Sequence, residues 1–376
     1  MASGSPKVQV MASSSLIREV KASSIAKGSY RFLRNCGFSW DSLLLPLYRK
    51  SKSLFAGERK VLGIIDLSSI EKPYSRKMEG ICRVKSRKGD RTVNGYMNIS
   101  VLLSWAKKVG LGYFKIFSHQ CELMSQNKEI ELAISEVSNL LPEDTKVIWV
   151  WDRGFDDKKN YREVLGLGDE FVGRVYHNRL ITVKGKKSKL LTEGRALPLS
   201  MYKFNAKLKI YGKVRRVIIG SSWMDFNFEG RRLWLLRTLI LWVEGIDVNE
   251  IKDREWCLVT NIEINHQNTA RRIWGYYKKR WEIENFFRFL KEGLNIEKFQ
   301  VMSLEEIRRI VAIAVIAGMF IYNLHKEVNS EPIKILLYFG GWTGYDKPGK
   351  IVLKRGLSIF LSYLYIDSFL KANEFS

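Results

Sequence analysis

The texture of apolar positions changes along the chain. Up to about residue 60, apolar residues recur at helical spacing, Leu16, Val20 and Ile25 and then Phe32 and Leu33, and predict short helices. From residue 61 the run VLGIIDLSSI is continuous, rich in β-branched residues and too short for a typical helix, the pattern of a strand buried on both faces. KVIWVWDRGF repeats it. The first run closes on Asp66 and the second on Asp152 with a glycine turn behind it. Between them strands are predicted near 93–102 and 111–118, followed by NKEIELAISEVSNLL, where Ile130, Leu132, Ile134, Val137 and Leu140 form an amphipathic helix. A further strand is predicted around Phe171 to Tyr176. This order reads as α/β. From about 178 to 262, short alternating runs such as RRVIIGSSW and RLWLLRTLILWV are broken by glycine and charged turns, which predicts a mostly-β insertion. From Thr269 the pattern is helical to the end, interrupted by the loop GGWTGYDKPGK.

Charge narrows the partner class. Lys and Arg number 63 against 39 Asp and Glu, a net charge of +24 in a chain that is 46% hydrophobic. That apolar content excludes disorder, and the excess of cations points to a polyanion, because each cation placed on a phosphate releases condensed counterions. The first 60 residues concentrate this excess and form a candidate DNA-contacting arm. Cys36, Cys82, Cys121 and Cys257 stand far apart without a CxxC pair, so neither a zinc ribbon nor a disulfide framework is supported, and a reducing cytoplasm is expected. The longest apolar run, Ile310 to Tyr322, falls short of the roughly 18 residues of a membrane span. It reads as a buried helix, and no membrane partner is expected. The opening MASGSPKVQV lacks the pattern of a signal peptide, so export is not expected either.

Functional groups of parallel α/β folds gather beyond the carboxyl ends of strands, where this chain has Asp66 and Asp152. If the two strands are neighbours their carboxylates face each other, and repel unless a cation lies between them. Taken singly, each aspartate reads equally well as a strand end capping a turn. The segment YYKKRWEIENFFRFLKEG adds a third acid. On a straight helix, with Tyr277 at zero, Arg280 falls at about 300°, Glu284 at about 340° and Lys291 at about 320°, one narrow stripe. Ile283, Phe286, Phe287 and Leu290 form the adjacent apolar face, and Glu282 falls near 140°, on the far side. The plainer alternative is a surface stripe with an Arg280–Glu284 ion pair. Strand-end aspartates and a helix glutamate suit Mg2+ or Mn2+, hard ions that favour oxygen ligands, and two such ions support in-line displacement at phosphorus.

These residues together resemble the DDE transposases of insertion sequences, in particular the cut-and-paste group with the YREK signature: Tyr277, Arg280, Glu284 and Lys291 match its spacings without a gap. IIDLSSIEKPYSRKMEG resembles the family's first acidic motif, although Leu67-Ser68-Ser69 stands where many relatives have Asp-Thr or Gly-Thr after the acid. WDRGF resembles the second, and KPGKIVLKRGL the closing motif, so the likeness extends over about residues 55–360. It implies an RNase H-like mixed sheet flanked by helices, with an inserted mostly-β domain and helical N- and C-terminal parts. The division expected is a basic helical region at 1–60, core at 61–177, β insertion at 178–262, glutamate helix at 263–300 and a helical region at 301–376.

The same resemblance implies Asp66, Asp152 and Glu284 as catalytic, metal-binding residues, expected to hold two Mg2+ or Mn2+ ions; the phenol and cations on the glutamate's stripe, Tyr277, Arg280 and Lys291, are expected to contact DNA phosphates, as is Arg153. Trp256, in EWCLVTN, matches the position of an aromatic that stacks on a base flipped from the duplex end; a tryptophan in the core of the β region is the equal alternative. The implied function is a DNA transposase that binds terminal inverted repeats, cuts them, and joins them to target DNA as a homodimer assembled on DNA, in a prokaryotic cytoplasm at the nucleoid. A captured transposase regulating without catalysis, and an RNase H-like nuclease, are the competing readings. The histidines show no metal-like spacing and receive no role.

Overall fold

The structure is a computed structural model that describes residues 22–373 except 88, 90, 122–124, 177, 184–185, 199–201 and 345–347. The expectations for residues 1–21, for His177 and for the start of KPGKIVLKRGL at Lys347 therefore lie outside the described residues. In chain order the elements are helices α1 (Ala22–Asn35) and α2 (Trp40–Leu54) and strands β1 (Lys60–Glu71), β2 (Cys82–Lys85), β3 (Thr92–Trp105) and β4 (Lys108–Phe117). Helix α3 (Gln126–Leu140), strand β5 (Lys146–Trp151), helix α4 (Lys158–Gly166) and strands β6 (Glu170–Arg174), β7 (Leu180–Val183) and β8 (Lys186–Lys189) come next. Then come helix α5 (Leu190–Ala196) and strands β9 (Tyr202–Ile210), β10 (Lys213–Phe228), β11 (Arg231–Val243) and β12 (Glu255–Thr260). Helices α6 (Gln267–Lys278), α7 (Trp281–Arg288), α8 (Leu304–Leu324), α9 (Glu331–Phe339) and α10 (Lys350–Asn373) complete the chain. This is a mixed α/β fold with a large mixed sheet and flanking helices, the architecture an RNase H-like core requires.

The chain folds as two compact units. One comprises Ala56–Asp66 and Gln126–Glu282; the other comprises the residues up to Phe55, Leu67–Ser125 and those from Ile283 on. In the first of these the strand order is β1-β5-β6-β12-β11-β10-β9. β1, β5 and β6 are parallel, and the strands beyond β6 are antiparallel. The parallel strands read as unbroken apolar runs because both of their faces are covered: Val61, Ile64, Ile65 and residues 147–151 are completely buried. α4 makes the crossover between β5 and β6 that parallel pairing demands. The sequence pattern does not predict it, since only Asn160, Tyr161 and Val164 of its nine residues turn inward. Its start is marked by Asp157, whose side chain accepts the Lys159 amide at the N-cap.

An aromatic stack fills the space beside these strands. Trp151 lies flat on Phe171 at 5.2 Å, and Phe171 on Tyr161 at 4.8 Å. Trp149 donates its indole N–H to the carboxylate of Asp169 at 3.0 Å, and the same carboxylate accepts the Val147 amide at 3.0 Å. Burial raises the pKa of Asp169, and these donors oppose the shift. Gly173 is required by this packing, because a Cβ there would run into the indole of Trp151, itself fixed by Phe171 and Tyr161. Gly173→Ala is accordingly expected to cost about 1–3 kcal/mol, the penalty of overpacking a filled core. A urea melt checks it, and an unchanged midpoint would mean that Trp151 has room to move.

In the other unit, β2 and β4 flank β3 in antiparallel pairing. α2 packs on β4, and α8 packs on both. Helix α8 begins with a capping box: Ser303 accepts the Glu306 amide at 3.2 Å, with glutamate three residues after serine. By length and composition α8 could cross a membrane. Ile307, Val311, Ala312 and Val315 are nevertheless completely buried within the protein, so the apolar run is spent on packing.

Candidate active site

The register of the parallel strands aligns the first two acids. Ile64 pairs with Val150, so two residues further along each chain Asp66 stands level with Asp152. β5 to β6 continues the row, since Trp151 pairs with Gly173 and the next position on β6 is Arg174. Asp66, Asp152 and Arg174 thus lie side by side at the carboxyl side of three adjacent parallel strands, where α/β folds place functional groups. One expectation needs correcting: Asp66 does not end its strand. β1 runs on to Glu71, and its burial drops from complete at Ile65 to partial over Asp66–Ser69, at the level where β5 ends, before Ile70 is buried again. The strand has lost β5 as a neighbour there, and that side of it is no longer covered by the parallel sheet.

Two residues of the predicted stripe reach this row. Tyr277, at the end of α6, donates its hydroxyl to Asp152 Oδ1 at 3.3 Å, and Arg280 places Nη1 3.9 Å from Asp66 Oδ2. Tyr277 is only 2% exposed; burial, and then the Asp152 carboxylate, push its pKa far above the usual tyrosine value, so it stays a donor at any ordinary pH. The guanidinium of Arg280 lies over the Tyr277 ring at 5.8 Å.

The segment is not the single straight helix that the angular argument assumes. Lys279 and Arg280 form a tight turn between α6 and α7 in which Arg280 N donates to Tyr277 O at 3.0 Å and Glu282 N to Lys279 O at 2.9 Å. After α7 the chain widens into a π-helical turn at Phe289–Gly293. One break overwinds and the other underwinds, so the angular positions drift from uniform spacing. The apolar face survives: Ile283, Phe286 and Leu290 are completely buried. Glu284 sits half-buried on α7, and Glu282 pairs with Lys279 at 3.0 Å. The boundary between the two units falls inside α7, with Glu284 and Lys291 beyond it. Lys291 lies in the π turn with its side chain 5% exposed and Nζ 3.6 Å from Glu297. Burial lowers its pKa, with Glu297 opposing.

Trp256 lies on β12 and is 9% exposed, stacked on Trp274 at 5.9 Å and meeting Tyr277 edge to face at 5.2 Å. Trp274 occupies one face of the indole, a contact that a core ring would also make. Arg153, on the turn after Asp152, is half-exposed and 3.9 Å from Asp253. Arg174 is the residue that sequence reading passed over. It is buried, with Nη1 2.9 Å from Asp253 Oδ2, and this pairing holds Asp253 below the usual carboxylate range. The clue was available, since FVGR is another buried apolar strand ending in a charge. His266 also has a task, because its ring accepts the Thr269 amide at 3.2 Å as the N-cap of α6.

Hard carboxylate oxygens side by side are a donor set that suits a divalent cation, which would also relieve their mutual repulsion. The fit extends to Asp66 and Asp152. Among the described residues no three His, Cys, Asp or Glu side chains converge as a metal group.

Residues 126–320, more than half of the chain, match the family described as the transposase DDE domain. The chain belongs to the DDE transposase family. The matched stretch takes in Asp152 and Glu284 and begins after Asp66. No curated protein matches the chain. The family acts on DNA and generally uses divalent metal ions.

Proposed function

We propose that this transposase is of the cut-and-paste group with the YREK signature, and that it binds terminal inverted repeats, cuts them and joins them to target DNA. The observation that carries the reading is the alignment of Asp66 with Asp152 on neighbouring parallel strands, each carboxylate attended by a member of the signature, Arg280 and Tyr277. In this reading Asp66, Asp152 and Glu284 hold two Mg2+ or Mn2+ ions. Bound there, the ions would activate an attacking oxygen and stabilise the leaving one.

The chain's own groups prepare that chemistry. The Tyr277 hydroxyl fixes the orientation of the Asp152 carboxylate, and Arg280 offsets the charge of Asp66. Arg174 adds a cation at the end of the row, held by Asp253. The proposed division of labour assigns residues 1–60 to DNA contact, 61–177 with 263–300 to the core, 178–262 to the inserted β region and 301–376 to pairing of protomers.

Arg280 and Lys291 are proposed to exchange their carboxylate partners for phosphate oxygens when a strand enters. Arg280→Ala and Lys291→Ala should each flatten the logarithmic salt dependence of end binding, by roughly 0.7 to 0.9 per lost phosphate contact. Titrations of a labelled terminal repeat at several salt concentrations read this directly. Unchanged slopes in both would leave Arg280–Asp66 and Lys291–Glu297 as structural ion pairs only. Cutting two ends and joining them to one target calls for paired active sites. With +24 on each protomer, pairing is expected once phosphates neutralise that charge. Light scattering should find two protomers with two ends, and a single protomer with two ends refutes the dimer.

A further inference from the structure

A groove of about 520 Å3 runs across the outer face of β9, β10 and β11, lined by Asn205, Lys207, Arg216, Ile218, Trp242 and by Arg271 from α6. Cations line its outward side. Lys203, Asn205, Lys207 and Lys209 alternate on the outward side of β9, all exposed, and Arg216 stands opposite Lys207 on β10. The acid that answers them is Glu244, which pairs with Arg216 at 2.7 Å. Lys203, Lys207, Lys209 and Arg271 have no carboxylate partner among the described residues. Along the free edge of β9, Lys278 of α6 donates to the Lys207 carbonyl at 2.6 Å and Gln267 donates to the Lys203 carbonyl. The edge is therefore blunted against pairing with another strand, while the face beside it stays open.

Trp242 is placed in this groove by a defect in the ladder. The register of β10 with β11 shifts between Ile218 and Ile219: Ile219 pairs with Ile240, but Ile218 pairs with Trp242, leaving Leu241 as the extra residue of a bulge. Val217, Ile219, Ile240 and Val243 all face the buried side. Without the bulge Trp242 would sit opposite Val217 and join them. With it the indole is turned outward beside Ile218, and is 46% exposed. Re-aiming a side chain is a recurrent use of β-bulges. A half-exposed indole amid unpaired cations offers a flat apolar face for a base and charges for the phosphates on either side of it, the combination found where single strands bind.

We propose that this groove binds a single-stranded stretch of DNA, with one base stacked on Trp242 and the flanking phosphates on Lys207, Arg216 and Arg271. The proposal goes beyond the cleavage chemistry, although it rests on DNA being the substrate. A second copy of the same face is a poor occupant, because its lysines would oppose these. Binding of a fluorescein-labelled 15-nucleotide oligo(dT) to the full chain, followed by anisotropy, tests it without any cleavage step. Metal-dependent cutting of duplex ends is measured separately, so that loss of one reading leaves the other standing.

Trp242→Ala is expected to weaken oligo(dT) binding about 5- to 150-fold, the range of one base–aromatic stack, and Trp242→Phe to restore most of it. Lys207→Ala and Arg271→Ala should each lower the salt slope by roughly 0.7. Tyr211→Ala, which removes a 66%-exposed ring from the nearby β9–β10 turn, should change neither quantity. Should Trp242→Ala fail to fold in a thermal melt, the lysine and arginine variants carry the same test. Oligo(dT) affinity unchanged by Trp242→Ala overturns the proposal, as does an equal loss in Tyr211→Ala. An equal loss on fully duplex DNA also overturns it, because a duplex offers no free base face. A shift in sedimentation with oligo(dT) binding intact would make the groove a protein interface instead.

Discussion

Asp66→Asn and Asp152→Asn are each expected to abolish Mg2+-dependent cutting of terminal-repeat DNA, with a loss of at least about 1,000-fold. Charge stabilisation by a bound cation is worth several kcal/mol, and each 1.36 kcal/mol is a factor of about ten. The substitutions preserve shape. Asparagine keeps an oxygen for the Tyr277 hydroxyl at position 152 and a dipole for Arg280 at position 66, so the fold and DNA binding should persist. Glu284→Gln should match them. Glu282→Gln should be mild, because Glu282 is engaged with Lys279 on the neighbouring turn. Single-turnover cleavage together with end binding by gel shift measures all four. Full activity in Asp66→Asn would remove the first acid, which lies outside the residues matched to the family. Dead Glu282→Gln with active Glu284→Gln would mean that the functional acid is two residues earlier.

The alignment of the two aspartates was legible in the sequence because it arises from the simplest pattern there. Two apolar runs, each leading to an acid, bury both faces and pair in parallel, with Val61 opposite Val147 and Ile64 opposite Val150, and that register brings Asp66 level with Asp152. The continuation of β1 past Asp66 was not legible, since whether a strand stops or merely loses its neighbour depends on where the adjacent strand ends. α4 escaped notice because a nine-residue helix with three inward side chains leaves almost no periodic signal. The buried face of YYKKRWEIENFFRFLKEG was legible from helical spacing, since Ile283, Phe286 and Leu290 lie within α7 and its immediate extension. The turn at Lys279–Arg280 and the π turn at Phe289–Gly293 were not legible, because no uniform spacing can contain them. Tyr277, Arg280 and Lys291, expected on a stripe beside that face, are themselves buried, and Tyr277 and Arg280 lie beside the two aspartates. The bulge at Leu241 is hidden for the same kind of reason: RLWLLRTLILWV is apolar almost throughout, so no alternation marks where the register slips.

Trp256→Ala is expected to cost about 3–5 kcal/mol of stability, the usual loss for truncating a buried tryptophan. The ring stacks on Trp274 and meets Tyr277 edge to face, and the Tyr277 hydroxyl donates to Asp152. The damage should therefore spread to the site, with first-strand nicking slowed as well as later steps. A platform for a flipped base would behave differently. Extruding a base costs a few kcal/mol, which an aromatic platform offsets, so the variant would nick normally, stall afterwards, and recover on an end carrying an abasic site at the extruded position. Melting curves and single-turnover cleavage on intact and abasic ends separate the two. A large melting shift with no abasic rescue assigns Trp256 to the floor beneath Tyr277. A small shift with rescue would instead require Trp274 to swing aside and free the indole face for DNA.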